Sequence, residues 1–157
     1  MQKRTRIILA ALALAGFFWV FALPQGVQAQ AAITEVTMLQ TGRLFNYEVI
    51  LRRDGAATFI GSRGVGKIGT YTADIGGFDH LSRAIRQRHF QHFKAKYTNS
   101  ATDLPDIVTT VISGGHRKTV DNYGDIGPQA LWEIETLIDG VVAQAQWKKV
   151  SNNTDFR

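Results

Sequence analysis

Residues 107–112 read Ile-Val-Thr-Thr-Val-Ile, an unbroken run of β-branched side chains. Branching at Cβ restricts χ1 and crowds a helix, whereas the same side chains pack well on a pleated sheet. This run is therefore a strand, and the neighbouring sequence has to be arranged around it. Gly114-Gly115 can supply the two positive φ angles of a hairpin turn, and 117–122 returns as a second strand. Asn122-Tyr-Gly-Asp-Ile-Gly127 then breaks the pattern. Pro128 suits a first helical residue, where a missing N–H costs nothing. Beyond it apolar residues fall at 131, 134, 138, 141, 142 and 145, one face of a helix over 128–145.

Upstream the chain has the same character. A first strand over 33–39 places Val36 and Met38 on one face, and Gly42 marks a turn. Phe45, Tyr47, Val49 and Leu51 alternate with Asn46, Glu48, Ile50 and Arg52, the period of a strand. Asp54-Gly55 is a hairpin signal, followed by a returning strand over 56–60 and a fourth over 67–73. Gly76 is placed to cap a helix over 77–93, with Phe78, Leu81 and Ile85 at helical spacing and Phe90 and Phe93 at its end. Residues 94–101 are polar and aperiodic. The predicted order is β-β-β-β-α-β-β-α, an α+β domain with an antiparallel sheet and two helices packed on one face.

The first 29 residues have a different composition. Lys3, Arg4 and Arg6 precede an apolar run over 7–23, then Pro24 and the small residues Val27 and Ala29. These are the parts of a signal peptide cut after Ala29, with Ala31 as a second cut. The alternative is a retained N-terminal membrane anchor. The expected organisation is a signal peptide over 1–29, one domain over 30–150 and a flexible polar tail over 151–157. The expected location is periplasmic or extracellular. The chain has no cysteine, which excludes a thiol nucleophile, thiolate metal ligands and a lipid-modified N-terminal Cys. Of the formal +5, +3 lies in the leader, leaving 15 Lys+Arg against 13 Asp+Glu. Residues 43–96 hold ten basic and four acidic side chains, and 97–157 hold five and eight.

Three groups of residues carry possible chemistry. Arg83, Arg86, Arg88, Lys94 and Lys96 form a basic run without an acid. They suit docking to an anionic surface, lipid headgroup or envelope polysaccharide; the plainer reading is a solvated helix face. Asp103, Asp121 and Asp125, with Tyr97 and Tyr123, lie around the central hairpin. Paired carboxylates there suit general acid–base work, although Asp is also an ordinary turn residue. His89 and His92 stand i, i+3 but fall short of the three or four ligands of a zinc site, in cationic surroundings. No metal or cofactor is expected. Gly61-Ser-Arg-Gly-Val-Gly66-Lys67 lacks the spacing of a phosphate loop and leads into a strand.

The order of these features resembles the bacterial secreted family known as domain of unknown function 6438. The residues that carry the likeness are Thr41-Gly42, Tyr47, Asp54-Gly55, Thr102-Asp103-Leu-Pro105, Lys118, Val120, Tyr123-Gly124, Gly127-Pro128 and Leu137-Ile138-Asp139. It spans about 33–145, and its second half is the more specific. Many members carry a Cys pair between the first two strands; this chain has Gly42-Arg-Leu-Phe45 there. The resemblance implies a fold and export, and no activity. The expected function is a non-catalytic binding or interaction module whose partner is an envelope protein or anionic surface, with no nucleic acid. The alternative is a small periplasmic hydrolase using Asp103 and Asp121.

Overall fold

The computed structural model describes residues 31–156. The leader and the cut after Ala29 lie outside the described residues. Strands β1 (Ile33–Thr41), β2 (Asn46–Arg52), β3 (Ala56–Arg63) and β4 (Gly69–Asp74) form an antiparallel meander. Helix α1 (Phe78–Gln87) follows, then a 3₁₀ turn (Phe90–His92) and the short strand β5 (Lys96–Tyr97). The hairpin β6 (Asp106–Ser113) and β7 (His116–Tyr123) leads into α2 (Gln129–Gln144) and β8 (Lys148–Ser151). The strands make one sheet in the order β5-β7-β6-β1-β2-β3-β4-β8.

The fold is α+β, but the sheet is mixed rather than wholly antiparallel, and two strands are added to the predicted order. β5 runs parallel to β7. It falls in the stretch read as loop, because two residues without alternation give no period to detect. What holds it is tertiary: the Asp121 N–H donates to the Ala95 carbonyl (2.9 Å) and Lys96 Nζ lies 2.7 Å from Asp121 Oδ2. β8 pairs antiparallel with the free edge of β4, and beyond it the Thr70 hydroxyl donates to the Asn153 carbonyl at 2.7 Å.

The β-branched strand behaves as its composition requires. Gly114 and Gly115 both take positive φ (56° and 78°), which closes the hairpin in register from Ser113↔His116 to Asp106↔Tyr123. β6 also pairs antiparallel with β1, so β1 sits mid-sheet between the hairpin and the meander. Across the sheet one row runs Val120, Thr109, Met38, Val49, Phe59, Tyr71. This face carries both helices: Phe78, Leu81 and Ile85 of α1 and Leu131, Ile134 and Ile138 of α2 are buried against it. Val141 and Val142 are only half-buried at its edge. Each fully buried side chain of this size contributes about 1.5–3 kcal/mol, so this layer dominates the stability. Trp147 closes it over Phe59, ring centres 5.6 Å apart.

α1 stops earlier than the spacing of Phe90 and Phe93 predicts. Arg88 caps it and His89 takes a left-handed conformation (φ 52°). That turn redirects the chain so that Phe90 still reaches the core, at 1 % exposure. At the other end Gly77, not Gly76, is the N-cap. Pro128 stands one position before the first residue of α2, in extended conformation. Gly64 is required by its neighbour: φ is +68°, and a Cβ would lie 1.8 Å from the Leu44 carbonyl oxygen. Among the described residues no helix is long and apolar enough to cross a membrane.

Candidate functional site

The basic run is not one surface. Arg88 Nε lies 2.7 Å from Glu133 Oε2 of α2, and Lys96 is paired with Asp121. Arg86 is half-buried near the end of α1, and Lys94 is exposed beyond the 3₁₀ turn. Arg83 is exposed and makes no ion pair among the described residues. It lines an open groove of about 490 Å³ between α1 and α2, with His80, Gln87 and Arg88 on one wall and Trp132, Thr136 and Leu137 on the other. Trp132 is 50 % exposed there.

The groove runs on into a second hollow of about 510 Å³ lined by Gly76, Gly77, Leu81, Leu137, Gly140 and Val141. Gly140 sits inside α2, where glycine costs about 1 kcal/mol relative to alanine. Packing does not demand it, because a Cβ at 140 would meet nothing within 4 Å.

The loop carboxylates assemble differently from the sequence expectation. Asp103 is exposed on its loop with φ 63°. The acid that faces Asp121 is Asp106, from the start of β6, on the sheet face away from the helices. Burial, then the bond to Asp121 and its charge, push Asp106 up to about 6, with Lys96 opposing. Asp106 Oδ1 and Asp121 Oδ1 each lack a donor among the described residues, and a protonated Asp106 can donate to Asp121. The bond to Asp121 in turn raises Lys96 above the ordinary lysine range. Tyr97 and Tyr123 brace the connecting loop: Tyr97 Oη accepts from the Lys94 N–H (3.2 Å), and Tyr123 Oη donates to the Ala101 carbonyl (3.1 Å). Asp125 caps nothing at a helix end; its Oδ1 accepts from Asn122 Nδ2 at 3.2 Å.

That bond belongs to a polar cluster the sequence reading passed over. Asn122, wholly buried on β7, donates through Nδ2 to both oxygens of Glu135 on α2 (3.3 and 3.1 Å). Its Oδ1 accepts from the Gly127 N–H at 2.8 Å. Glu135 is itself 3 % exposed. Burial pushes its carboxyl up to about 7, and Asp125 and Asp139 add to the rise. One turn along α2, Asp139 accepts from Tyr47 Oη of β2 at 2.9 Å. Burial raises Asp139 as well, and burial with the nearby Asp139 raises the Tyr47 phenol. A signal existed. Leu131, Glu135, Ile138 and Val142 share the 4-3-4 spacing of an inward helix stripe, so a charge stands where the period demands an apolar residue.

None of these groups is a triad of metal-ligating side chains; among the described residues no cluster of three His, Asp or Glu could hold an ion. In comparison with known proteins, a family described as "Domain of unknown function (DUF6438)" matches residues 42–142. The matched span contains the helix groove and both carboxylate clusters. No curated protein and no solved structure matches the chain.

Proposed function

The chain belongs to the DUF6438 family, and on that premise we propose that it is an exported, non-catalytic binding domain whose α1–α2 groove takes a strand of acidic polysaccharide. The observation that carries this is Trp132, half-exposed across an open channel from the unpaired Arg83. An indole face stacks on a sugar ring, and a guanidinium bonds a sugar carboxylate at two points. Gln87 and Thr136 line the same walls and bond hydroxyls. A channel recessed between two helices suits a chain; a bilayer presents a plane, which the cationic end of a single groove meets poorly. The leader supports export.

The test is retention of the protein, taken with its native N-terminus, on an insoluble polyuronate, with neutral cellulose and vesicles of anionic phospholipid as other arms. Export predicts an N-terminus at Gln30 or Ala32. Retention on polyuronate is expected at low salt and should weaken as ionic strength screens Arg83. Trp132→Ala and Arg83→Gln should each weaken it about tenfold, roughly 1.4 kcal/mol. Gln and Arg have similar helix propensity, so the fold should survive the second change. Stronger retention by the vesicles would move the reading to lipid, and retention on neither would remove it.

A hydrolase is the second reading, and it moves from Asp103 to Asp106. A carboxyl held near 6 beside a charged partner is suited to act as a general acid. New reducing ends in the same polyuronate assay, lost in Asp106→Asn, would favour it.

A further inference from the structure

Glu135 is withdrawn from water on the inner side of α2, and among the described residues no cation answers it. The ionisable groups around it are all acidic: Asp125 from the β7–α2 loop, Asp139 from α2 itself and the Tyr47 phenol from β2. β7 offers the Asn122 amide and β6 the Thr109 hydroxyl. The two Asn122 Nδ2 hydrogens are shared among three acceptors, Asp125 Oδ1 and both Glu135 oxygens. The Thr109 Oγ1 is fully buried and without a partner at bonding geometry. The Asn122 amide and the Thr109 hydroxyl favour the ionised carboxyl, but they do not replace the water that a buried charge has lost, and burial outweighs them. A protonated Glu135 carries no such charge.

We propose that Glu135 is a proton-operated latch that seats α2 on the sheet: protonated, it lies neutral under the helix against Asn122 and Thr109, and ionised, it is a buried charge with no cation beside it and loosens the helix. The carboxyl lies mid-helix and Asn122 also holds the Gly127 N–H at the helix entry, so the latch governs both the entry and the first half of α2. α2 is also one wall of the groove, through Trp132, Thr136 and Leu137. The latch itself does not depend on what the groove binds.

The sign follows from the direction of the shift. The folded chain holds the Glu135 proton up to about 7, whereas an unfolded chain releases it near 4.5. Stability from this group is complete below the unfolded value and is lost as pH rises through the folded one. The full chain is measured in two ways. Carboxyl NMR should show Glu135 titrating well above the other glutamates. Hydrogen exchange, corrected for intrinsic rates, should show α2 amides losing protection by up to about tenfold per pH unit between about 5 and 7, and by more than the amides of β1. In Glu135→Gln, a neutral group of the same shape, that pH dependence should flatten. A Glu135 that titrates in the ordinary range overturns the latch, even if the Gln variant does not fold. Equal loss of protection in α2 and β1 also overturns it, because the proton would then report on the whole fold.

Discussion

The domain holds two clusters of acids, and it compensates them in opposite ways. At the sheet edge Asp106 lies against Asp121, and Lys96 Nζ stands 2.7 Å from Asp121 on a face partly open to solvent. Under α2 Glu135 is buried, with Asp125 and Asp139 at the exposed margin; together they meet one amide, one phenol and, among the described residues, no cation. The edge cluster offsets charge with charge. The inner cluster offsets it by hydrogen bonds from Asn122 and Tyr47 and, at Glu135, by keeping a proton among the fully buried Leu131, Ile134, Ile138 and Val120. The same residue type is thus a modest surface feature in one place and a large perturbation in the other. Dielectric and access to a counter-charge decide which.

The largest expected effect comes from removing the amide that the inner cluster shares. Asn122→Ala leaves the buried Glu135 carboxyl and the half-buried Gly127 N–H without their common partner, while the exposed Asp125 can turn to water. Each buried group so orphaned costs about 1–3 kcal/mol, more when charged. We expect a loss of about 3–5 kcal/mol at pH 7.5 by chemical denaturation. The loss should shrink at pH 5, where Glu135 keeps its proton. An equal loss at both pH values would mean that Asn122 acts by packing alone, and the contrast between the clusters would fail.

What the sequence disclosed divides along the same line. The β6–β7 hairpin was legible because β-branching and Gly114-Gly115 act locally, and local preferences survive into the fold. The inward stripe of α2 was legible for the same reason, apart from Glu135, whose violation of the period was the one visible trace of the inner cluster. β5 and the Asp106–Asp121 pair were not legible. Asp106 and Asp121 stand fifteen positions apart and meet only through the hairpin register, two residues off the Val108↔Asp121 pair. Asp103 and Asp121 looked as plausible, since nothing local says which loop acid the register will bring round. The early end of α1 at His89 has no glycine to announce it, and burial of Phe90 decides it instead.

The two clusters should separate in a pH series, the next effect in size. Both raised carboxyls make the fold less stable as pH rises, but over different windows. Glu135 acts between about 4.5 and about 7, Asp106 between about 3.8 and about 6. Holding Glu135 up to about 7 corresponds to a cost on the order of 3 kcal/mol once pH exceeds that value. Asp106 is partly open to solvent and should cost less. Asp106→Asn is therefore expected to flatten the curve only below about pH 6, leaving the fall from 6 to 7 intact in urea denaturation midpoints. If Asp106→Asn removed the fall above 6 as well, the acid under α2 would not be the group responsible.

The smallest effect concerns Lys96, and it tests whether the edge cluster is compensated by its cation or by its proton. Lys96 is the more exposed partner of the Asp121 pair, at 61 % against 23 % of side-chain surface. Exposed ion pairs contribute about 0–1 kcal/mol and are screened by salt. Lys96→Gln should thus change stability at pH 7 only slightly, and by less in 0.5 M salt, where the Debye length falls to a few Å. Its second consequence is more diagnostic. Lys96 is the one influence that lowers Asp106, so without it the carboxyl should titrate higher, nearer to Glu135 and its unanswered acids. Carboxyl NMR of Asp106 in the Gln variant reads this directly. An upward move with little loss of stability would mean that the lysine acts on the charge of Asp106 more than on the hold between β6 and β7 at their open end. A large loss with no move would mean instead that Lys96 works through β5, as the clamp that keeps this two-residue strand on the edge of the sheet.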